Sequence, residues 1–389
     1  MQVCAVGSKE LVTGTRPFWV LVAVMACDGS TGPEIARSWP SVDAGIFFSC
    51  GITQTGTVHC WGSGFGGSLG TGSDSSSLTP APVAGNVAFA VVSSGGRHGC
   101  GLTSSAVAYC WGANPFGAVG DGTDTNRLAP VPVSSPRRLS TISAGDLHSC
   151  AISTDGTAYC WGRNDAGQLG ANSDTLQLLK PTPVAGGTRY RAISAGSSYT
   201  CAVATDGGGW CWGWNGSGQL GDSLYLFLRV PWPVDAGLSF KSISAGANHT
   251  CGVTTTAAAY CWGSGTSGEI GNDSLGTFFS PQAVTGAHTF DYVGSGDRFS
   301  CGLTTDGVAL CWGNGPSGEL GNLLTSRSFV PLPVSTSLRF SSLSVGNHHT
   351  CGVATDGQAY CWGANAWGQL GNGTTTFSFV PVPVGNPLQ

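Results

Sequence analysis

Residues 340–384 read FSSLSVGNHHTCGVATDGQAYCWGANAWGQLGNGTTTFSFVPVPV, and the chain repeats this pattern seven times. Aligned on Cys-Trp-Gly, the copies place Trp61, Trp111, Trp161, Trp212, Trp262, Trp312 and Trp362 at steps of 50 or 51 residues. The copies fill residues 41–384, and no step has room for an inserted domain. Within one copy, Ser242-Ile-Ser-Ala-Gly246 alternates small and apolar residues, which suits a crowded inner strand. Thr200-Cys-Ala-Val-Ala204 and Gly208-Gly-Trp-Cys-Trp-Gly213 flank Thr205-Asp206-Gly207 and read as a hairpin whose Gly supplies a left-handed position. A loop through Gly218-Gln-Leu-Gly221 follows, and Pro231-Trp-Pro-Val234 reads as a short outer strand, because proline cannot donate to an interior ladder.

Four short strands per copy around an axis predict an all-β fold, a seven-bladed β-propeller of four-stranded blades with about 50 residues per repeat. A linear solenoid is the structural rival. Solenoids need atypical capping repeats, whereas the first and last copies here are as regular as the rest. If each blade began with the Pro-Val strand, blade one would lack its own, and Val380-Pro-Val-Pro-Val384 would return to fill the place.

Only 10% of residues are charged, against about 25% in ordinary soluble proteins, while Gly numbers 62. Such a composition suits short strands and tight turns. The formal charge is −5, and no run of Lys or Arg offers a phosphate backbone a broad positive surface. Nucleic acid and nucleotide are therefore set aside as partners.

The first residues differ from all that follow. Lys9 and Arg16 precede the apolar run Phe18-Trp-Val-Leu-Val-Ala-Val-Met-Ala26, too short to span a bilayer and long enough for a signal-peptide core. Val24-Met25-Ala26-Cys27 resembles a bacterial lipobox, which would make Cys27 the lipid-bearing N-terminus. An ordinary secretory signal cut near Ala26, or a start codon misplaced ahead of one, reads the same residues differently. The expected division is a signal peptide at 1–26, a tether at 27–38 and a single propeller at 39–389.

Fourteen of 16 Cys form seven pairs at one spacing: Cys50 and Cys60, Cys100 and Cys110, Cys150 and Cys160, Cys201 and Cys211, Cys251 and Cys261, Cys301 and Cys311, Cys351 and Cys361. With Ala204 and Gly208 flanking the turn, facing residues have numbers summing to 412, as Cys201 and Cys211 do. Directly opposed residues on antiparallel strands lie about 4.5–5.5 Å apart at Cα, within reach of a disulfide. One disulfide inside each blade is expected, in an oxidising compartment. Free structural thiols are one rival and metal binding another, since His98, His148, His249 and His349 each precede a Cys by two residues. The equivalent residues Phe48, Tyr199 and Phe299 cannot ligate zinc as His does, so the position reads as packing and no cofactor is expected.

Cys-Trp-Gly followed by Gly167-Gln-Leu-Gly170, Gly218-Gln-Leu-Gly221, Gly318-Glu-Leu-Gly321 and Gly368-Gln-Leu-Gly371, with Asn164, Asn215 and Asn365 between, resembles the regulator of chromosome condensation repeat family. The resemblance covers all seven copies and implies a seven-bladed propeller, but the family's functions differ widely. Its nuclear nucleotide-exchange member uses a projecting wedge and a basic tail, which these uniform copies lack. Its ultraviolet-B photoreceptor clusters tryptophans in Gly-Trp-Arg-His-Thr segments, where this chain has Gly246-Ala-Asn-His-Thr250 and Gly296-Asp-Arg-Phe-Ser300. A secreted bacterial inhibitor of β-lactamase agrees with export, yet no residue set here points to a lactamase.

Catalysis needs a constellation that does not repeat. Asp155, Asp206, Asp306 and Asp356 read as turn residues, and His59 and His288 stand alone. No nucleophile elbow or phosphate loop appears in context, so an enzyme is not expected. Binding is the better reading, because a propeller presents loops that each blade can vary. Bulky apolar residues gather in those loops: Trp214, Tyr225, Phe227 and Trp232 in unit four, Phe278 and Phe279 in unit five, and Trp367 in unit seven. They read as a partner-binding set; packing between blades is the competing reading. The expected function is an exported, lipid-anchored, monomeric scaffold for an unidentified protein at the cell envelope or outside the cell, touching membrane only through its anchor. An extracellular carbohydrate-binding or hydrolytic propeller, and a structural surface protein without a ligand, are the alternatives.

Overall fold

The structure, a computed structural model, describes residues 39–234 and 237–386. The expected signal peptide, tether and Cys27 lie outside those residues. The described residues form seven four-stranded antiparallel sheets, each built from four consecutive strands. Blade one runs Ser41–Ala44, Phe48–Ile52, Val58–Gly62 and Ser77–Pro82; blade seven runs Phe340–Val345, His349–Ala354, Ala359–Gly363 and Ser378–Pro383. Because strand order follows chain order, the inner-to-second and third-to-outer connections of every blade emerge on one face of the disc. The Thr-Asp-Gly hairpins and the blade-to-blade connections emerge on the other.

The hairpin register follows the arithmetic of the sequence. Cys201 faces Cys211, and the other six pairs face each other likewise. All seven disulfides are formed, with Cα atoms 4.0–4.1 Å apart. That is closer than expected, and it belongs with the near spacing of pairs that exchange no backbone hydrogen bonds.

Ring closure does not use an exchanged strand. Ser378–Pro383 pairs with Ala359–Gly363 of its own blade, and blade one owns Ser77–Pro82, which corrects the expectation that the last Pro-Val strand completes blade one. The physical reason is that each copy starts with its inner strand, so every copy is a whole blade. The junction of blades seven and one is therefore a seam like the other six. Trp39, Val42 and Trp61 pack against Val353, Ala359 and Leu370 there.

Around the axis, Ile46, Gly96, Asp146, Ser197, Ala247 and Asn347 donate their N–H to the Gly carbonyl of the next blade at 3.0–3.3 Å; in blade six Asp297 donates to Asn347 O at 3.0 Å. These bonds return from Asn347 to Gly45 and close the circle. A side chain cannot enter here: a Cβ on Gly246 would stand 2.5 Å from Gly296 O.

Farther out, each Cys-Trp-Gly indole is fully buried, and its Nε1–H reaches a carbonyl in the preceding blade's Gly-Gln-Leu-Gly segment. Trp262 donates to Gln219 O at 3.0 Å and Trp61 donates to Gln369 O at 2.9 Å. The closing Gly of that segment lies against the same indole, and a Cβ on Gly271 (φ +76°) would stand 2.6 Å from Trp312 Nε1. Buried indole N–H groups need a partner, so one hydrogen bond repeated at every seam fixes the angle between blades.

The four histidines work at the same seams. His98, His148, His249 and His349 place Nε2 2.6–2.9 Å from Ser149, Thr200, Ser300 and Ser49 of the following blade. Each hydroxyl spends its one proton on a carbonyl of the intervening loop, such as Ser300 to Glu269 O at 2.8 Å. The hydroxyl oxygen must then accept, so the imidazole carries its proton on Nε2. Nδ1 of His148, His249 and His349 has no partner. Burial pushes His98 down to about 4 and the other three to about 3, so all are neutral. The position serves as more than packing, because it hydrogen-bonds across a seam.

Candidate protein-binding face

The two faces differ in their exposed side chains. Among the described residues, only Val91 and Val107 of the exposed large hydrophobics lie toward the hairpin face; the others stand on third-to-outer connections or near the start of outer strands. The physical cause is loop length. A three-residue turn has little freedom beyond its own geometry, while the connection from Trp-Gly to the outer strand is long enough to carry side chains outward.

In four of the seven blades one asparagine holds the long connection from within, while Gly64, Gly265 and Gly315 stand at that position in blades one, five and six. Asn164 donates to Ser173 O and Thr175 O at 3.1 and 2.9 Å, while its Oδ1 accepts the Leu169 N–H at 3.2 Å. Asn114, Asn215 and Asn365 repeat the arrangement. Leu69, Val119, Leu169, Leu220, Ile270, Leu320 and Leu370 are fully buried and anchor the base of each loop. Variable side chains are thus presented on fixed backbone.

Trp367 is 51% exposed and Phe65 is 61% exposed. They line one groove with Phe47 and Arg97, and Phe65 and Arg97 continue into a second groove of about 620 Å³ with Pro115, Phe116 and Asp146. Arg97 lies 5.1 Å over the Phe65 ring and Arg163 lies 5.4 Å over Phe116, so the cations cover aromatic faces. Asp146 sits under their influence: burial raises its carboxyl, and the charges of Arg97 and Arg163 lower it in part. A third groove joins Arg163 and Asp165 to Trp214 and Phe227. The result is an aromatic and arginine arc over blades seven, one, two, three and four. The equivalent loop slots in blades five and six hold Thr266, Ser267, Pro316 and Ser317.

Of the residues singled out from sequence, Trp214, Tyr225, Phe227, Phe279 and Trp367 are exposed. Trp214, Phe227 and Trp367 line the grooves, and Tyr225 stands in the connection just before Phe227. Phe279 lies apart, over Gly218 of the neighbouring blade. Trp232 and Phe278 are half-buried. Trp232 packs edge-on against Tyr225 at 5.7 Å, and Phe278 fills space beside Gly265 and the Ile270 cluster. Sequence reasoning does not reach Phe47, Phe65, Phe116, Arg97 or Arg163. The signal for Phe65 and Phe116 is the variable slot inside the Trp-Gly to Gly-Gln-Leu-Gly motif, the same slot region that holds Trp367.

Fold and face together define a closed seven-bladed propeller whose exposed aromatic and arginine side chains gather on its long-loop side. The description "Regulator of chromosome condensation (RCC1) repeat" matches residues 41–67, 89–118, 140–168, 190–219, 240–269, 290–319 and 340–369, and the chain belongs to that family. A second profile of the same description matches 55–102, 107–152, 155–203, 306–353 and 356–389. Human WBSCR16 superposes with a TM-score of 0.77 at 19% identity, covering 85% of this chain and 94% of that one. Prp20p of Saccharomyces cerevisiae gives 0.77 at 22% identity, covering 90% and 88%. The ectodomain of the Physcomitrella patens receptor kinase CR4 gives 0.57 at 23% identity, covering 84% and 74%. At these identities the likeness is one of fold. No curated protein sequence matches the chain at a significant level.

Proposed function

We propose that the chain is an exported scaffold that binds a protein partner through the aromatic and arginine arc of its long-loop face. The observation that carries this reading is the concentration of exposed Trp367, Phe65, Trp214 and Phe227, with Arg97 and Arg163 nearby, on one face of a rigid ring. Tryptophan, tyrosine and arginine dominate the energetics of protein interfaces, and rigid loops reduce the entropy lost on docking. Within the fold, Prp20p binds Gsp1p and histones, and yeast RCC1 has been seen bound to Kap60, so the architecture accommodates protein partners. Each groove holds one carboxylate, Asp74, Asp146 or Asp165, and in each an arginine lines the groove with it, an arrangement suited to recognition.

Export is supported by seven disulfides and by the leader-like composition of residues 1–26. Among the described residues no helix is long and apolar enough to cross a membrane. An anchor at Cys27 is part of this reading, and mass spectrometry of the mature N-terminus separates a lipidated Cys27 from a plain cut near Ala26. The binding test is affinity capture from host envelope extract by residues 39–389, beside a Phe65→Ala/Trp367→Ala double variant. A partner retained by the wild type and lost by the variant supports the arc, and equal capture by both removes it.

A further inference from the structure

A feature that the binding face does not explain lies on the axis. At the Ser-Ala-Gly end of the inner strand, the penultimate position before Gly is serine in five blades, Gly294 in blade six and Asp43 in blade one. In the serine blades the side-chain oxygen has a structural role, for it accepts an N–H from the following blade, as Ser93 does from Ala144 and Ser143 from Ala195, each at 3.0 Å. Asp43 fills the same role with Oδ2, which accepts the Ser94 N–H at 2.5 Å. A serine would suffice for that bond. The carboxylate adds a second oxygen and a charge, and Oδ1 accepts the Ser344 hydroxyl at 3.0 Å.

Among the described residues no Lys, Arg or His pairs with Asp43. The carboxylate belongs to the lining of an axial cavity of about 150 Å³, together with serine residues, the glycine ring, Tyr292, Asn347 and Asp146. A buried charge without a partner is costly, and hydroxyl oxygens already holding one N–H keep a lone pair for a second electropositive neighbour. The cavity has room for an ion with several waters. Asp146, the other carboxylate of the lining, lies under the charges of Arg97 and Arg163, which leaves Asp43 as the carboxylate without a cation; that single charge balances a monovalent ion, whereas divalent ions are usually held by more carboxylates or stricter geometry.

We propose that this axial cavity is a binding site for a monovalent cation, with Asp43 as its charged ligand and the surrounding serine hydroxyls as neutral ones. Ile46, Gly96, Asp146 and Asn347 of the lining stand toward the same face as the aromatic arc, the side from which an ammonium group as well as a bare ion would approach. Burial pushes Asp43 up to about 6, which leaves it ionised and able to bind above neutral pH. The titratable side chains lining the cavity besides Asp43 are Asp146 and Tyr292, and Tyr292 is pushed up to about 12, so it stays neutral there.

The experiment is sodium-23 NMR on residues 39–389 at pH 8, reading the excess linewidth caused by the protein, beside Asp43→Ser. That variant carries the residue five blades already have, and circular dichroism confirms that it folds. The expected result is an excess linewidth in the wild type that falls by more than half in Asp43→Ser and at pH 4.5. Displacement of sodium by potassium but not by methylammonium assigns the site to bare ions; displacement by both extends it to ammonium groups. No excess in the wild type, or the same excess in Asp43→Ser, overturns the proposal. The outcome is independent of whether Phe65 and Trp367 bind a partner.

Discussion

The hairpin face and the long-loop face are built from the same seven repeats, yet they carry different chemistry. On the hairpin face, turns such as Thr205-Asp206-Gly207 recur because their backbone needs them, and Asp206 accepts the Gly208 N–H at 2.9 Å. On the long-loop face, Asn215 and Asn365 hold the backbone beside Trp214 and Trp367, and in blade one the Gly64 N–H donates to the Ser76 hydroxyl beside Phe65, so these exposed rings are not needed to fix the main chain. Side chains that vary between repeats are informative only where something else fixes the main chain. The contrast predicts that the two faces respond differently to substitution, and it depends on a ring that stays rigid between them.

The seams supply that rigidity, so breaking one should be the largest effect. Trp262→Ala removes a fully buried indole and its bond to Gln219 O, and it should cost about 3–5 kcal/mol. Urea denaturation reads the loss. A cost near zero would mean that seams do not hold the blades, and that neither face rests on a rigid ring.

Next in size is the arc. Trp367→Ala should weaken partner capture by about 2 kcal/mol or more, roughly 30-fold, while the urea midpoint hardly moves, because the ring is half exposed. A matched fall in stability would show that Trp367 packs instead of recognising. Titration of the captured partner against both proteins separates the two.

Much of the fold is legible in the chain because it depends on local spacing. Pairs summing to 412 set the hairpin register of Cys201 and Cys211, and the 50-residue period sets the blades. The seams are not legible. Trp262 marks itself as scaffold by recurring, but its acceptor Gln219 lies 43 residues back and becomes its neighbour only when the blades stack around the axis. Whether closure uses an exchanged strand stays open in the sequence for a related reason, since phase within a repeat is invisible until one strand is known to face the axis. Asp43 escapes notice because it stands inside a motif filled by serine in five blades, where a departure is easily absorbed into the pattern. Trp232 and Phe278 read like the exposed aromatics because alternation on an outer strand does not reveal which face the neighbouring loop covers.

A smaller effect concerns acid. His249 is neutral because burial holds it near 3, well below the ordinary value of 6.5. A folded-state pKa depressed below the unfolded value contributes stability above about pH 6.5, and that stability is lost as pH falls toward 3, because the unfolded chain binds the proton first. Asp43, Asp146, Glu269 and Glu319, each raised by burial, oppose this because the folded chain takes up their protons first, but they are common to the wild type and a histidine variant and cancel when the two are compared. His249→Phe supplies the residue that blades one and six already carry at this position. Ser300 keeps its bond to Glu269 O in that variant. The variant should therefore lose about 1–2 kcal/mol less than the wild type between pH 7 and pH 5, measured as the urea midpoint at each pH.

The smallest effect is the control that the two-face contrast requires. Asp206→Ala on the hairpin face removes one side-chain acceptor from the Gly208 N–H at an exposed turn, and water can replace it. The cost should be about 0.5–1 kcal/mol, typical of one exposed hydrogen bond, and partner capture should be unchanged. Trp367→Ala and Asp206→Ala then form a crossed pair, one altering binding without stability and the other stability without binding. If Asp206→Ala also weakens capture, the partner touches both faces, and the loops that vary are not the sole seat of recognition.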